Sequence, residues 1–462
     1  MSKLSEASIA SLKTGLEGEV LQPGSDAFEE SRRIWNAMID KKPAIIVRCA
    51  ATSDVVRAVN FARQQRLPLA IRAGGHNIGG SALVDGGLVV DLSRMRAAQV
   101  DATARRVTIE AGALLSDLDA ATQAHGLATP LGINSTTGVA GLTLGGGFGW
   151  LSRKLGMTID NLESAEVVTA AGEVVKAGAK EHPDLFWALR GGGGNFGVVT
   201  RFEFRLHPVG PNLLSGLVVY GLDEAGTVLR RYREFALAAP DELTVWVVIR
   251  KAPPLPFLPA EVHGREVVVL AMLHAGDPAE GERLVAPLQK FGRPLGAHLG
   301  VQPYAGWQQA FDPLLAAGAR NYWKSHNLTG LPDGLLDTLV EHAAHLPTPN
   351  TEIILAALGG ATMRPAVDAM AYAARDTRFI VNIHGRWEDA KDDARGIGWT
   401  RTLFQAAAPF ATGAAYINFM TADEGDRVRA VYGVNFDRLA KVKRTYDPAN
   451  LFSVNQNIAP AA

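Results

Sequence analysis

Residues 71–80 read IRAGGHNIGG, a histidine held between two pairs of glycines at the end of an apolar run, Leu67–Ile71. Upstream lies a second such run, Ala44-Ile45-Ile46-Val47, entered from Pro43. Between the two, Thr52-Ser53-Asp54 offers capping side chains, and Val55, Val59 and Ala62 follow on one helical face. The reading is strand, helix, strand, with the two strands paired in parallel across the helical crossover. Glycine lacks a Cβ and tolerates positive φ, so this loop can bring backbone N–H groups against an anionic ligand, or it can simply turn tightly.

Two further clusters share that ambiguity: residues 138–149, GVAGLTLGGGFG, and residues 191–197, GGGGNFG. The second of these contains GxGxxG at Gly192, Gly194 and Gly197. A dinucleotide fingerprint must follow a strand and open a helix. Here the helix-like DLFWALR (184–190) precedes it, and an alternating strand follows, with Phe202, Phe204 and Leu206 set against Arg201, Glu203 and Arg205. No GKS or GKT is present, so no P-loop is expected. The histidines are scattered without HExxH or a helical i, i+4 pair, and no metal site is expected.

With 462 residues the chain has material for two or three compact units. Its 46 basic and 47 acidic residues nearly cancel and form no long run of like charge, which argues against a nucleic-acid partner. Cys49 is the single cysteine, so an intrachain disulfide framework is excluded and a reducing compartment fits. The N-terminal stretch does not read as a secretory signal, and no run approaches the ~18 apolar residues of a membrane span. The expectation is a cytoplasmic protein with no membrane partner.

Short β-rich runs, LVVDL (88–92) and RRVTIEA (105–111), precede a capped helix near Leu115–His125, and 165–169 with 172–177 resemble a hairpin. At residues 207–211, HPVGP, the texture changes. Strands at Thr244–Ile249, Glu266–Met272, Glu352–Leu358 and Phe379–His384 then mix with amphipathic helices, an α+β arrangement. A helix-like run after Tyr432 leads to Asp447-Pro448 and the polar Asn455-Gln456-Asn457. The expected division is 1–207, 208–418, and 419–462 as a return to the first unit.

Several long markers stand in order: Arg72–Asn77; Gly138–Gly149 with Gly156–Asn161; Asp184–Gly193; Asn195–Thr200; Tyr416-Ile417-Asn418; and Tyr446–Asn450 with Asn455–Asn457. In these the chain resembles the berberine-bridge-enzyme-like group of the vanillyl-alcohol-oxidase flavoprotein superfamily, over nearly its whole length. The resemblance implies a two-part FAD-binding domain, completed by the C-terminal segment, and an α+β substrate domain whose sheet is covered by helices. It implies FAD bonded through its 8α carbon to His76, with Arg72, Ala73, Gly74, Gly75 and Asn77 around the tether. Further cofactor contacts are implied at Asn134, Thr137, Gly138, Gly141, Gly145, Gly146, Gly149, Asp160, Asn161, Val199, Asn455 and Asn457.

Two departures matter. Relatives with a second tether carry a cysteine four positions before Gly138, where this chain has Asn134, so a single tether is expected. Some relatives also place a carboxylate on the strand before a Gly-Gly pair, but Leu355-Ala356-Ala357-Leu358 precedes Gly359-Gly360 here, with Glu352 remote from that end. Tyr416 then becomes the candidate base, matching a cavity tyrosine of relatives. His384 and Arg386 share a strand face with Asn382 and are further candidates for binding or deprotonating a substrate, as is Tyr322.

The implied function is an oxidase that passes hydride from a small alcohol, sugar or amine to flavin and then to molecular oxygen. Thr137 occupies the position that gates oxygen in relatives, where valine accompanies oxidases and leucine dehydrogenases. The alternatives are a dehydrogenase, a reductase fed by NADPH, or a flavin-binding protein without turnover.

Overall fold

A computed structural model describes residues 4–462. The helix expected after Thr52 runs Thr52–Gln65 and buries Val55, Ala58, Val59 and Ala62 completely, the face that the apolar spacing marks. It links strands Ile45–Arg48 and Leu69–Arg72, which run in the same direction. They are not neighbours, however. Strand Leu88–Asp91 lies between them, parallel to both, with Val89 opposite Ile46 on one side and Ala70 on the other. LVVD is buried at every position, and a run apolar on both faces takes the centre of a parallel sheet. Glu19–Leu21 closes the far edge antiparallel.

A second sheet of five strands is antiparallel, in the order Ala98–Asp101, Arg106–Glu110, Val198–Arg205, Leu162–Val168, Val174–Gly178. The expected hairpin is its last pair, with Ala165 opposite Ala177. Phe202 and Phe204 point into the core, while Arg201 and Arg205 face water. The GxGxxG stretch sits between helix Pro183–Leu189 and strand Val198–Arg205 and opens no helix.

The third sheet has seven antiparallel strands, ordered Gly296–Pro303, Asn212–Gly221, Glu266–His274, Leu243–Lys251, Glu352–Ala357, Phe379–Trp387, Arg320–Leu328. Four of these are among the expected strands; Asn212–Gly221, Gly296–Pro303 and Arg320–Leu328 are additions. Helices Ala225–Ala238, Asp333–Ala343 and Asp393–Ala407 cover one face through Leu229, Leu336 and Leu403. The other face looks toward the first two sheets. After Val428 the chain packs into the core of those sheets through Leu439, Val442, Phe452 and Ile458. Lys443, fully buried, fastens this segment: its Nζ donates to Asp447 Oδ2 (2.6 Å), Asn195 O (2.8 Å) and Phe452 O (2.9 Å). No described helix is long and apolar enough to cross a membrane.

Helix Leu115–Gln123 carries Asp119 into a buried contact in which Gln308 Nε2 donates to Asp119 Oδ2 at 3.1 Å. Asp119 Oδ1 and Gln308 Oε1 have no partner among the described residues, which leaves Oδ1 free to carry a proton. Burial pushes Asp119 up to about 7, against the pull of Gln308. An acid raised in the folded state stabilises below its unfolded pKa of 3.8 and loses that contribution as pH climbs toward 7. The loss is on the order of 4 kcal/mol. Asp119→Asn keeps the amide contact without the charge. Thermal melts should therefore show the variant gaining on the parent between pH 5 and pH 8; an unchanging difference would contradict the assignment.

Candidate functional site

The strand Leu69–Arg72 delivers the GGHN loop to the space between the first core and the open face of the seven-stranded sheet. Gly74 and Gly138 lie backbone against backbone there, since a Cβ on Gly74 would fall 2.4 Å from Gly138 N. That contact joins the first two glycine clusters. Beside it is a cavity of about 310 Å³, walled by Gly74–Asn77, Ile133–Asn134, Thr137–Gly138, Gly193–Gly194, Val198–Val199 and Phe452–Gln456 with the sheet opposite.

His76 lies in this wall, its ring stacked on Trp35 at 5.0 Å. Trp35 is itself clipped in place, its backbone N donating to Gly75 O and its Nε1 to Leu315 O. His76 Nε2 is 2.9 Å from Thr136 Oγ1, and the Thr136 hydroxyl donates to Asn134 Oδ1 at 2.6 Å. With its hydrogen committed, the hydroxyl can only accept, so Nε2 carries the proton and Nδ1 the lone pair. Nδ1 has no hydrogen-bond partner among the described residues. Burial, aided by the positive charge of Arg386, pushes the imidazole down to about 3, so the ring is neutral at neutral pH.

Tyr416 closes the opposite side. Its Oη accepts from Gly147 N (2.9 Å) and from Asn418 Nδ2 (3.0 Å), and among the described residues its own hydrogen has no acceptor. Burial raises the phenol to about 12, with the two donors working the other way. Gly145 and Gly146 give this arrangement room: a Cβ on Gly145 would strike Asn418 Oδ1 at 2.2 Å. Gly149 instead packs on Leu131 O.

His384 borders the cavity, but both of its nitrogens are engaged. Nδ1 meets Glu352 Oε1 at 3.1 Å and Nε2 meets Asn321 Oδ1 at 3.0 Å. Arg386 Nη1 donates to that same Asn321 oxygen, so Nε2 must donate as well. Burial alone would raise Glu352, yet Arg250, His384 and Arg386 outweigh it and hold the carboxylate below its ordinary range. Neither His384 nitrogen is free to take a proton from a molecule in the cavity.

Other sequence candidates stand behind the wall. The Arg386 guanidinium is turned to Asn321 and Ala316 O and lies over Trp35. Tyr322 points away, donating to Asp423 Oδ2 at 2.6 Å and accepting from Arg401; its neighbour Trp323 faces the cavity instead. Arg72 pairs with buried Asp91 at 2.8 Å, Asp160 with Arg375 at 2.7 Å, and Asn161 braces its own loop through Leu155 O and Met157 O. Gly141 and Val199 line the cavity, as does Asn455, which donates to Gly194 O. Asn457 lies just outside, its Oδ1 buried and unpartnered. Trp246, Trp323, Phe148 and Phe419 form much of the remaining wall, and Asn382 projects into it. None of these five is among the sequence candidates; strand periodicity groups Asn382 with His384, but nothing local marks the aromatics.

Family models match the chain at both ends of this site: an FAD binding domain over residues 43–178 and a berberine and berberine-like domain over residues 415–459. An FAD-linked oxidoreductase of Dictyostelium discoideum is 31% identical, over 96% of this chain and 95% of its own. The chain belongs to the berberine-bridge-like FAD-linked oxidoreductases. The crystal structure of 6-hydroxy-D-nicotine oxidase from Arthrobacter nicotinovorans superposes with a TM-score of 0.85 at 27% identity, covering 96% of this chain and 98% of that one. Xylooligosaccharide oxidase of Thermothelomyces thermophilus is 29% identical over 92% of this chain and 89% of its own length.

FAD is the cofactor of these berberine-bridge-like enzymes, and the cavity suits it. Among the described residues, no acceptor takes the backbone N–H of Gly74, Gly75, His76, Asn77 or Ile78. Such a run of free donors at a cavity wall fits a diphosphate. Asn455 Oδ1, also unpartnered, offers an acceptor to a ring or ribose donor.

Proposed function

We propose that this chain is an oxidase that takes hydride from a small alcohol, sugar or amine, holds its FAD by a single bond to His76, and passes the electrons to molecular oxygen. FAD, when bound, supplies the hydride acceptor. The observation that carries the reading is the meeting, on one cavity, of a neutral histidine with a free Nδ1 and a tyrosine with an uncommitted hydrogen. His76 Nδ1 has the lone pair needed for the bond to the flavin's 8α carbon, and Asn134 supplies no thiol for a second. Tyr416 is positioned to exchange a proton with the substrate's O–H or N–H, and the aromatic wall excludes water from the reacting carbon. Arg72, Asp160 and Asn161 support the cofactor loops from behind rather than by contact. We place the division at 207 and 418, with two apolar cores lying mostly on either side of it, although Phe148, Trp150 and Met157 pack with the second core and Ala415 and Ile417 with the first. The buried, unbonded Cys49 fits a reducing compartment, and we place the enzyme in the cytoplasm.

Mixing the enzyme anaerobically with alcohols, sugars and amines while following the flavin's visible absorbance tests this directly. Bleaching by at least one class, reversed by air, is expected. Bleaching by NADPH alone would make it a reductase, and no bleaching by any compound would leave a flavin-binding protein without turnover. The acceptor is tested separately at Thr137, which lies in the wall beside the Gly74–Gly138 contact. A threonine is nearly valine in shape and leaves room for oxygen. Thr137→Leu should slow reoxidation of the reduced enzyme in air by roughly tenfold, the cost of about one overpacked methylene site. Slow reoxidation of the parent with fast turnover on a quinone would instead assign a dehydrogenase.

A further inference from the structure

Next to the main cavity, on the same face of the seven-stranded sheet, lies a smaller one of about 60 Å³. Ile133, Trp246, Leu315 and Ile354 belong to both, so they form a shared partition between the two spaces. Beyond it the small cavity is walled by Leu217, Val248 and Val269 from the sheet and roofed by Leu255 and Leu258 from the proline-rich loop. Leu217, Val248 and Ile354 remain half-buried beneath that loop, and Leu255 within it, because they face this hollow. The charged groups among its described lining residues, Arg250 and Glu352, are paired at 2.8 Å, and the second carboxylate oxygen of Glu352 is committed to His384. Apart from the buried, unpartnered indole N–H of Trp150, the hollow therefore offers apolar contact.

The sheet side of the main cavity tells the same way. Trp246, Ile354 and Ala356 are apolar there, Trp323 adds one unpartnered indole N–H, and both His384 nitrogens are spent. Asn382, nearly fully buried, has an unpartnered Oδ1. A sugar would bring a hydroxyl on nearly every ring carbon and find few partners; each hydroxyl left unpaired on burial opposes binding.

We propose that the small cavity is a substrate subsite, and that the substrate is an amine or alcohol on an apolar, ring-bearing skeleton whose alkyl or aryl extension passes between Trp246 and Ile354 into it. Its O–H or N–H donates to Asn382 Oδ1 or engages Tyr416. The proposal rests on the oxidase reading and narrows its substrate.

The test uses the FAD-loaded enzyme and the perturbation of its flavin absorbance by benzyl, 4-ethylbenzyl and 4-butylbenzyl alcohols and amines, with xylose and xylobiose alongside. Affinity should rise roughly fourfold for each added methylene while the annex fills, and the sugars should bind weakly. Val248→Phe, which fills the annex, should flatten that dependence on length. Leu255→Ala enlarges it and should move the best binder to a longer chain, a readout that survives if the first variant fails to fold. An affinity independent of chain length, or xylobiose bound more tightly than every benzyl compound, overturns the proposal. Rising affinity without bleaching would sustain the subsite and sink the oxidase reading. Bleaching by sugars with a flat alkyl series would do the reverse.

Discussion

Tyr416→Phe is expected to slow anaerobic flavin reduction by about 10²–10⁴ at saturating substrate, the range for losing a proton-transfer group, while leaving substrate affinity nearly unchanged. The structural reason is the environment of Oη. Two N–H donors, Gly147 and Asn418, fix the oxygen and would stabilise it as an anion, so what phenylalanine removes is the exchangeable proton. The ring remains packed edge-on to Phe148 and Phe419. The pH profile carries a second signature. Burial holds the phenol near 12, so at neutral pH only a small fraction is ionised and that fraction grows tenfold per pH unit. If the phenolate is the base, the parent's reduction rate should climb with that slope from pH 7 to 10, and the phenylalanine variant's should stay flat. Equal rates in parent and variant would remove Tyr416 from the chemistry.

The second large effect concerns His76. After acid precipitation the parent's pellet should hold the yellow colour, and His76→Ala should release essentially all of its FAD to the supernatant, because the other imidazole of the wall, His384, has both nitrogens engaged. Thr136→Val separates the bond from its preparation. It deletes the acceptor that holds the proton on Nε2, and a hydrogen bond worth about 0.5–1.5 kcal/mol corresponds to a tether formed up to roughly tenfold more slowly. Thr136→Ser should restore the parental rate. A colourless parent pellet would remove the tether altogether; Thr136→Val flavinylating as fast as the parent would remove only the relay.

How far the sequence reaches depends on how far its interactions reach. Phe202 and Phe204 against Arg201 and Arg205 identify their strand because water lies on one side and the core on the other. Which strand lies beside which is not written locally, and the insertion of Leu88–Asp91 between two runs linked by a helix shows the difference. Arg320–Leu328 escapes periodicity because its buried positions include Asn321, Lys324, Ser325 and Asn327. Their burial is offset by distant partners, Lys324 by Asp423 and Asn327 by Thr377, that no window of neighbouring residues contains. Missing that strand also hides its alternation, by which Trp323 rather than Tyr322 faces the cavity. In the site, the His76 loop and the Tyr-x-Asn motif are legible as motifs. The commitment of both His384 nitrogens is not, since it depends on Glu352 and Asn321 arriving from two other strands.

The wall to which Trp35 and the stretch after Leu69 contribute is completed only by Phe452–Gln456, locked down through Lys443. A growing polypeptide thus exposes His76 long before it owns the other half of the bed; at ~5–20 residues per second the interval is on the order of tens of seconds. During that time the glycine loops have no lid and the apolar face after Val428 does not yet exist. Cofactor capture consequently waits for residues 452–456, and the FAD bed is assembled from stretches of chain made at well separated times.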